Sequence, residues 1–212
     1  MSVSIVTCGP SATRIDSVRR ITNFSTGELG SLIAEALLER GEDVIVLRGE
    51  GATWAAPSGM EVRSFFSNED LLEFLRQIGS EKTVEKLFHA AALTDFVVTA
   101  VGDAYGNPLT SKKISSATSE VTIQLRPASK VIRELRKLFP GAFLVGWKYE
   151  SDFGLEEAVI KGRKQMVECQ TDACVINGTD VDGFVYLTPD SRLAFPDKKS
   201  LAEFLATTGC SP

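Results

Sequence analysis

Two hydrophobic periods alternate along this chain. Near-continuous apolar runs stand at Val3–Thr7, Asp43–Leu47, Leu87–Ala92, Ala142–Trp147 and Asp172–Asn177, the pattern of strands buried on both faces of a parallel sheet. Between them the apolar residues fall at helical spacing. Leu29, Leu32, Ile33, Ala36 and Leu37 mark a helix stopped at Arg40-Gly41, and Ser67-Asn68-Glu69-Asp70 caps another that runs to about Ile78. Further helices are predicted from Ser129 through Leu138, from Leu155 to about Cys169, and after Pro196-Asp197. Phe184–Leu187 and Arg192–Phe195 flank a turn at Thr188–Ser191 and read as a hairpin, while Val121–Leu125 alternates like a half-buried strand. The order strand–helix–strand predicts right-handed βαβ units. The expected fold is α/β, Rossmann-like and doubly wound, with a mostly parallel sheet. Residues 1–212 read as a single domain, and the stretch of about 97–126, without helical periodicity, reads as an arm or flap.

The opening unit departs from a dinucleotide-binding turn. After the first strand come a turn at Cys8-Gly9-Pro10-Ser11 and a long polar loop, Ala12 to Phe24, where GxGxxG would need a tight glycine turn. The strand-end acid expected after Leu47 is replaced by Arg48.

Composition then narrows the partners. The chain has 212 residues and a formal net charge of −5, which argues against a general nucleic-acid binder. No basic-then-apolar leader follows Met1 and no apolar run is long enough to span a bilayer, so a cytoplasmic protein without a membrane segment is expected. Cys8, Cys169, Cys174 and Cys210 show no CxxC pair, and His89 is the single histidine; no metal site is expected, and buried or incidental thiols are. His89 lies in an apolar strand with no partner nearby in sequence and reads as a core or sheet-edge residue.

Candidate chemistry gathers at three places. In Ile21–Gly30, Ser25 and Thr26 are good N-cap residues, and Gly27 and Gly30 permit close approach. A capped helix after a loop and a phosphate seat at a helix N-terminus both fit. Arg14, Arg19 and Arg20 lie in the loop before it, facing either solvent or an anion. Ala91-Ala92-Leu93-Thr94-Asp95-Phe96 follows a core strand, where open sheets bind ligands; Asp95 there is either a turn acid or a partner for a hydroxyl or amine. Lys112 and Lys113 in the arm are either a solvated pair or mobile charges for phosphate.

Taken in order, Val18-Arg19-Arg20-Ile21-Thr22-Asn23-Phe24-Ser25-Thr26-Gly27, Ala90–Phe96, Lys113-Ile114-Ser115-Ser116, Gly146–Glu150 and Ala173–Asn177 resemble the phosphopantothenoylcysteine synthetase (ligase) domain of the DNA/pantothenate-metabolism flavoprotein family. The resemblance covers nearly the whole chain. It implies ligation of 4′-phosphopantothenate to cysteine through an acyl-nucleotidyl intermediate, in coenzyme A biosynthesis. The co-substrate it implies is ATP or CTP with Mg2+. Asn23 and Lys113 take catalytic roles by this resemblance. Gly9, Ser25, Thr26, Gly27, Ala91, Asp95 and Trp147 would contact the nucleotide, and Arg19, Asn23 and Asn177 the substrate. A homodimer is implied, with the arm at its interface. The flavin-binding domain that often precedes this ligase is not expected before Val3, and FMN is not expected. Two features depart from the family: Glu28 follows the Ser-Thr-Gly segment, where a basic residue is usual, and Gln165 and Cys169 fall near the family's helical lysines, with Lys161 and Lys164 close by. They keep open a non-catalytic paralogue that binds a nucleotide or a phosphopantothenate-like ligand. An NAD(P)-dependent reductase ranks lower, since none of Tyr105, Tyr149 and Tyr186 has a lysine four residues on.

Overall fold

The structure, a computed structural model, describes residues 2–151 and 154–209. Cys210, counted above among the thiols, lies outside the described residues. An eight-stranded sheet runs through the centre of the molecule. Its strands are β1 (Ser2–Cys8), β4 (Val44–Gly49), β5 (Glu61–Phe65), β6 (Thr83–His89), β9 (Phe143–Glu150), β10 (Ala173–Gly178), β11 (Val181–Leu187) and β12 (Arg192–Phe195). They lie in the order β12-β11-β10-β9-β6-β1-β4-β5. From β5 to β10 every pair is parallel, and β11 and β12 close the edge as an antiparallel hairpin. The parallel strands therefore follow the Rossmann order, and chain direction along the sheet reverses between β1 and β6.

Alternation along each strand divides the core between two faces. Val6, Cys8, Phe88, Val145 and Val175 pack beneath α1 (Glu28–Glu39) and α5 (Lys198–Leu205). Ile5, Ile45, Leu87 and Leu144 pack beneath α2 (Asn68–Glu81) and α3 (Ile132–Leu138), with α4 (Leu155–Cys169) over Cys174 and Ile176. Burial on both faces explains why these strands read as continuous apolar runs. Among the described residues no helix is long and apolar enough to cross a membrane.

Helix ends follow local chemistry. The Ser67 hydroxyl accepts the Asp70 amide and the Asp70 carboxylate accepts the Ser67 amide, the expected capping box, although α2 continues past Ile78 to Glu81. Gly41, at φ +80°, donates to the Leu38 carbonyl and Glu42 to that of Leu37, closing α1 in a Schellman turn. Asp197 caps α5 by accepting the Ser200 amide at 2.8 Å.

Four expectations are corrected. The long loop 12–24 contains a small hairpin, β2 (Ala12–Arg14) against β3 (Arg20–Thr22). The arm is a two-stranded ribbon: β7 (Phe96–Asp103), expected to be loop, pairs antiparallel with β8 (Val121–Pro127). β8 is exposed along its whole length rather than half-buried, because no helix or sheet covers the ribbon on that side. α3 starts at Ile132 with Val131 as its N-cap, and Ser129 instead donates to the Glu69 carboxylate at 3.3 Å.

Gly30 lies where α1 crosses β1: a Cβ there would stand 2.3 Å from the Cys8 Cβ. Alanine favours helix over glycine by about 1 kcal/mol, but overpacking a dense interface costs about 1–3 kcal/mol. Gly30→Ala is expected to lower the urea midpoint at unchanged m-value; a higher midpoint would show that α1 can back away from the sheet.

Candidate functional site

The segments leaving β1 and β6 part over opposite faces of the sheet, and a crevice opens between them. They remain stitched together for a few residues beyond the strands. Ala90 donates to the Thr7 carbonyl at 3.1 Å, Ala92 to that of Gly9 at 3.0 Å, and Ser11 to that of Ala92 at 3.2 Å. Small residues make this close pairing possible. Gly9 has φ +74°, and a Cβ on it would meet that of Ala52 at 2.7 Å.

Beneath the crevice, three buried polar side chains close a network. The Ser11 hydroxyl donates to Asn68 Oδ1 at 2.7 Å and accepts the Thr94 amide at 2.8 Å. Asn68 Nδ2 donates to the carbonyls of Thr94 (3.0 Å) and Ser129 (3.1 Å). Loops following β1 and β6 and preceding α3 are thus fixed to the start of α2. His89 does have a partner: its Nδ1 lies 2.9 Å from the Thr7 hydroxyl, which also accepts the Ala91 amide at 3.3 Å. Which of the Thr7 hydroxyl and His89 Nδ1 donates is set by the imidazole tautomer.

Only some of the residues singled out in the sequence lie beside this crevice. Asn23 Nδ2 donates to the Leu93 carbonyl at 2.8 Å, which brings the end of the β2–β3 hairpin onto the segment after β6. Ser25 and Thr26 do not cap α1. Gly27 is the N-cap, at φ +80° with no side-chain cap, and the two hydroxyls accept the amides of Gly27 (3.4 Å) and Glu28 (3.3 Å) in tight turns ahead of it. Gly27 borders Gly9: its added Cβ would lie 3.5 Å from the Gly9 nitrogen. Glu28 is ion-paired with Lys198 at the start of α5, so its charge is neutralised within the protein.

Of the loop arginines, Arg14 lies over the Phe66 ring at 4.2 Å and Arg19 binds Asp16 at 2.6 Å. Lys113 is exposed, but the backbone on both sides of it is tied to the loop 16–19. Asp95 is exposed and ion-paired with Lys130. Trp147 packs against the α1 side of the core with its indole N–H buried and unpartnered among the described residues. Asn177 is not gathered with the others. It pairs with Tyr149 at the carboxyl end of β10, which lies beyond β9 from β6.

Two adjoining cavities lie on the β6–β9 side. One, of about 110 Å³, is bordered by His89, Ala91, Asp95, Lys130, Trp147 and Gln165. The other, of about 290 Å³, is bordered by Lys130, Arg133, Lys148, Lys161 and Lys164 against one acid, Glu168. Glu150, whose side chain is 8% exposed, receives Lys148 at 3.1 Å and Lys161 at 3.0 Å. Burial opposes its charge, but the hydrogen bonds from the two lysines hold its carboxyl below the ordinary carboxylate range. This concentration of cations is invisible to sequence spacing, because its members come from α3, β9, α4 and the loop before α3. Only Lys161 and Lys164, one helix turn apart, gave a signal.

A family model described as the DNA/pantothenate metabolism flavoprotein C-terminal domain matches residues 2–206. The chain is 33% identical over 215 residues to the coenzyme A biosynthesis bifunctional protein CoaBC of Thermococcus kodakarensis, covering 95% of this chain and 49% of that protein. It spans about half the length of the curated relatives it matches. The fold superposes with a TM-score of 0.84 on the DNA/pantothenate metabolism flavoprotein of Streptococcus pneumoniae, at 24% identity over 97% of this chain and 96% of that one. It also superposes, at TM-score 0.75 and 18% identity, on a Cab2 mutant in complex with phosphopantothenate-cysteine, covering 96% of this chain and 83% of that one.

Burial holds the His89 pKa down to about 4 from 6.5. The unfolded chain therefore takes up a proton as pH falls through 6.5, and the folded protein does not until about 4. Stability from this group is complete above pH 6.5 and lost towards pH 4. Between pH 7.5 and 4.5 the loss attributable to His89 is about 2–3 kcal/mol. Urea unfolding should show a shallower decline for His89→Gln than for the parent; parallel declines would place the acid sensitivity elsewhere.

Proposed function

The chain belongs to the family of the DNA/pantothenate metabolism flavoprotein C-terminal domain, and from that membership we propose that it is a phosphopantothenate–cysteine ligase acting in the cytoplasm in coenzyme A biosynthesis. The reading is supported by the position of Asn23 against, and of Asp95 on, the segment after β6, beside a cation-lined cavity, and by the fastening of the segment bearing Lys113 to the loop after β2.

The reaction takes place in two steps. The carboxylate of 4′-phosphopantothenate attacks the α-phosphorus of ATP or CTP and pyrophosphate departs. The cysteine amine then attacks the acyl carbon, the nucleoside monophosphate leaves, and the amine gives up a proton. The first step joins an anion to a polyanion, so its barrier is dominated by charge. Lys130, Arg133, Lys148, Lys161 and Lys164 supply the compensating field on the β6–β9 side. Gly9, Ala91 and Trp147 would shape the nucleotide pocket, and Asp95, once released from Lys130, would meet a ribose hydroxyl or base amine. Ser25, Thr26 and Gly27 would seat phosphate at the uncapped start of α1. Lys113 would neutralise charge developing at the α-phosphorus, while Arg19, Asn23 and Asn177 would hold the pantothenate and Asn23 the acyl intermediate. Among the described residues no three of His, Cys, Asp and Glu converge as a metal cluster. A Mg2+ accompanying the nucleotide would offset phosphate charge in the first step.

Glu28 and the displaced helical lysines were the reasons to consider a non-catalytic paralogue. The pairing of Glu28 with Lys198 and the lysines around the larger cavity favour the ligase instead. The β7–β8 ribbon exposes Phe96, Val121, Ile123 and Leu125, which suits the arm to joining two copies as a homodimer.

Pyrophosphate release with 4′-phosphopantothenate, cysteine and ATP or CTP, each nucleotide assayed separately, tests the reading. Turnover with at least one nucleotide is expected; none with either would overturn it. Lys113→Ala is expected to lower kcat by about 10²-fold or more. Asn23→Ala should still release pyrophosphate but yield less ligated product, and full product formation would remove Asn23 from the second step.

A further inference from the structure

The segment carrying Lys113 belongs to the arm, yet it is fastened to the loop after β2. The Ser17 amide donates to the Lys112 carbonyl at 2.9 Å, the Ile114 amide to Asp16 Oδ2 at 3.1 Å, and Arg19 Nη1 to the Ile114 carbonyl at 3.2 Å. Lys113 is thus bracketed on both sides while its own side chain stays exposed, and the Ile114 side chain is buried beneath the strap. Asp16 is the common point of these contacts. Its Oδ1 accepts the amides of Val18 (2.8 Å) and Arg19 (2.7 Å), and its Oδ2 accepts both Arg19 Nη1 (2.6 Å) and the Ile114 amide. The side chain is only 2% exposed.

We propose that Asp16 is a positioning residue that holds the Lys113 strap and the Arg19 guanidinium in fixed relation, so that a lysine borne on an otherwise exposed ribbon is delivered to the crevice. This rests on the ligase reading for the role of Lys113; the attachment itself does not. The two carboxylate oxygens divide the work. Oδ1 shapes the local turn 16–19 and Oδ2 reaches the strap about a hundred residues later in the chain. No other described side chain binds the Ile114 amide. The Val18 amide first, then those of Arg19 and Ile114 with the Arg19 charge, outweigh the cost of burial and hold the Asp16 carboxyl down to about 2. The anchor therefore stays ionised at any pH at which the enzyme would be assayed. A strap held this way spends less conformational freedom in reaching a reacting centre, and misplacement by an ångström is enough to cost about 10²-fold in rate.

Asp16→Asn tests this in the full chain. The amide oxygen keeps the turn bonds to Val18 and Arg19, while the amide nitrogen confronts two donors and releases the strap. Amide hydrogen exchange at Ile114 is expected to speed up by about tenfold or more, with the urea midpoint nearly unchanged. Pyrophosphate release should lose about 10- to 100-fold in kcat, with KM for the nucleotide altered less than about threefold. Asp16→Glu, which retains the carboxylate, should recover part of both effects. Unchanged exchange at Ile114, or faster exchange with undiminished kcat, would overturn the proposal, as would a kcat loss accompanied by unfolding in both variants. If the parent protein releases no pyrophosphate with either nucleotide, the ligase reading falls and takes the catalytic role of the strap with it; the exchange rate still decides the attachment.

Discussion

The loops after β1 and β6 and before α3 are held together by the buried amide of Asn68. Its oxygen and both of its hydrogens are used, by Ser11, by the Thr94 carbonyl and by the Ser129 carbonyl. Those three residues belong to loops that have no sheet partner of their own. Left unpaired, the Thr94 and Ser129 carbonyls would lack a donor in a wholly or partly buried setting, at about 1–3 kcal/mol each. Asn68 answers that demand from the first turn of α2, whose own capping box fixes where the amide stands. The crevice is consequently rigid at its floor.

Charge at the rim follows a consistent arrangement. Asp95 meets Lys130, Glu28 meets Lys198, Glu150 meets Lys148 and Lys161, and Asp16 meets Arg19. These pairs give little stability where they are exposed. Their consequence is that cations stay near the crevice in a chain whose net charge is −5. An exposed pair such as Asp95–Lys130 costs little to open, so it does not lock either partner in place. Overall acidity, which argued against nucleic acid, therefore coexists with a locally positive cavity.

The fold was legible because buried parallel strands and amphipathic helices write themselves into the sequence at different periods. The Schellman turn at Gly41 and the capping box at Ser67 were legible for the same reason, being local. What escaped was non-local or exposed. Val121–Leu125 alternates as a half-buried strand does, but alternation records propensity and pairing, and β8 is exposed along its length among the described residues. Ser25 and Thr26 have cap chemistry, yet the positive φ that the chain needs beside Gly9 and Ala52 placed the cap at Gly27. His89 gained Thr7 across two strands, 82 residues apart. Of the site, the segments around Asn23, Ala91 and Asp95 could be picked out; the cation cavity and the Asp16 anchor could not, since their members meet only after folding.

The long connection between β1 and α1 explains why a Rossmann strand order here does not imply a dinucleotide. In the glycine fingerprint the chain turns directly from strand into helix, and a pyrophosphate rests on the helix start. Here the β2–β3 hairpin intervenes and its end, through Asn23, is tied across to Leu93 on the far side of the reversal. A ligand stretched across that line would collide with the tie. The space that remains is divided, with the uncapped start of α1 on one side and the cation-lined cavity on the other. The uncapped helix start and the cation-lined cavity are thus two separate places where anionic groups could rest, a division that one continuous dinucleotide would not need.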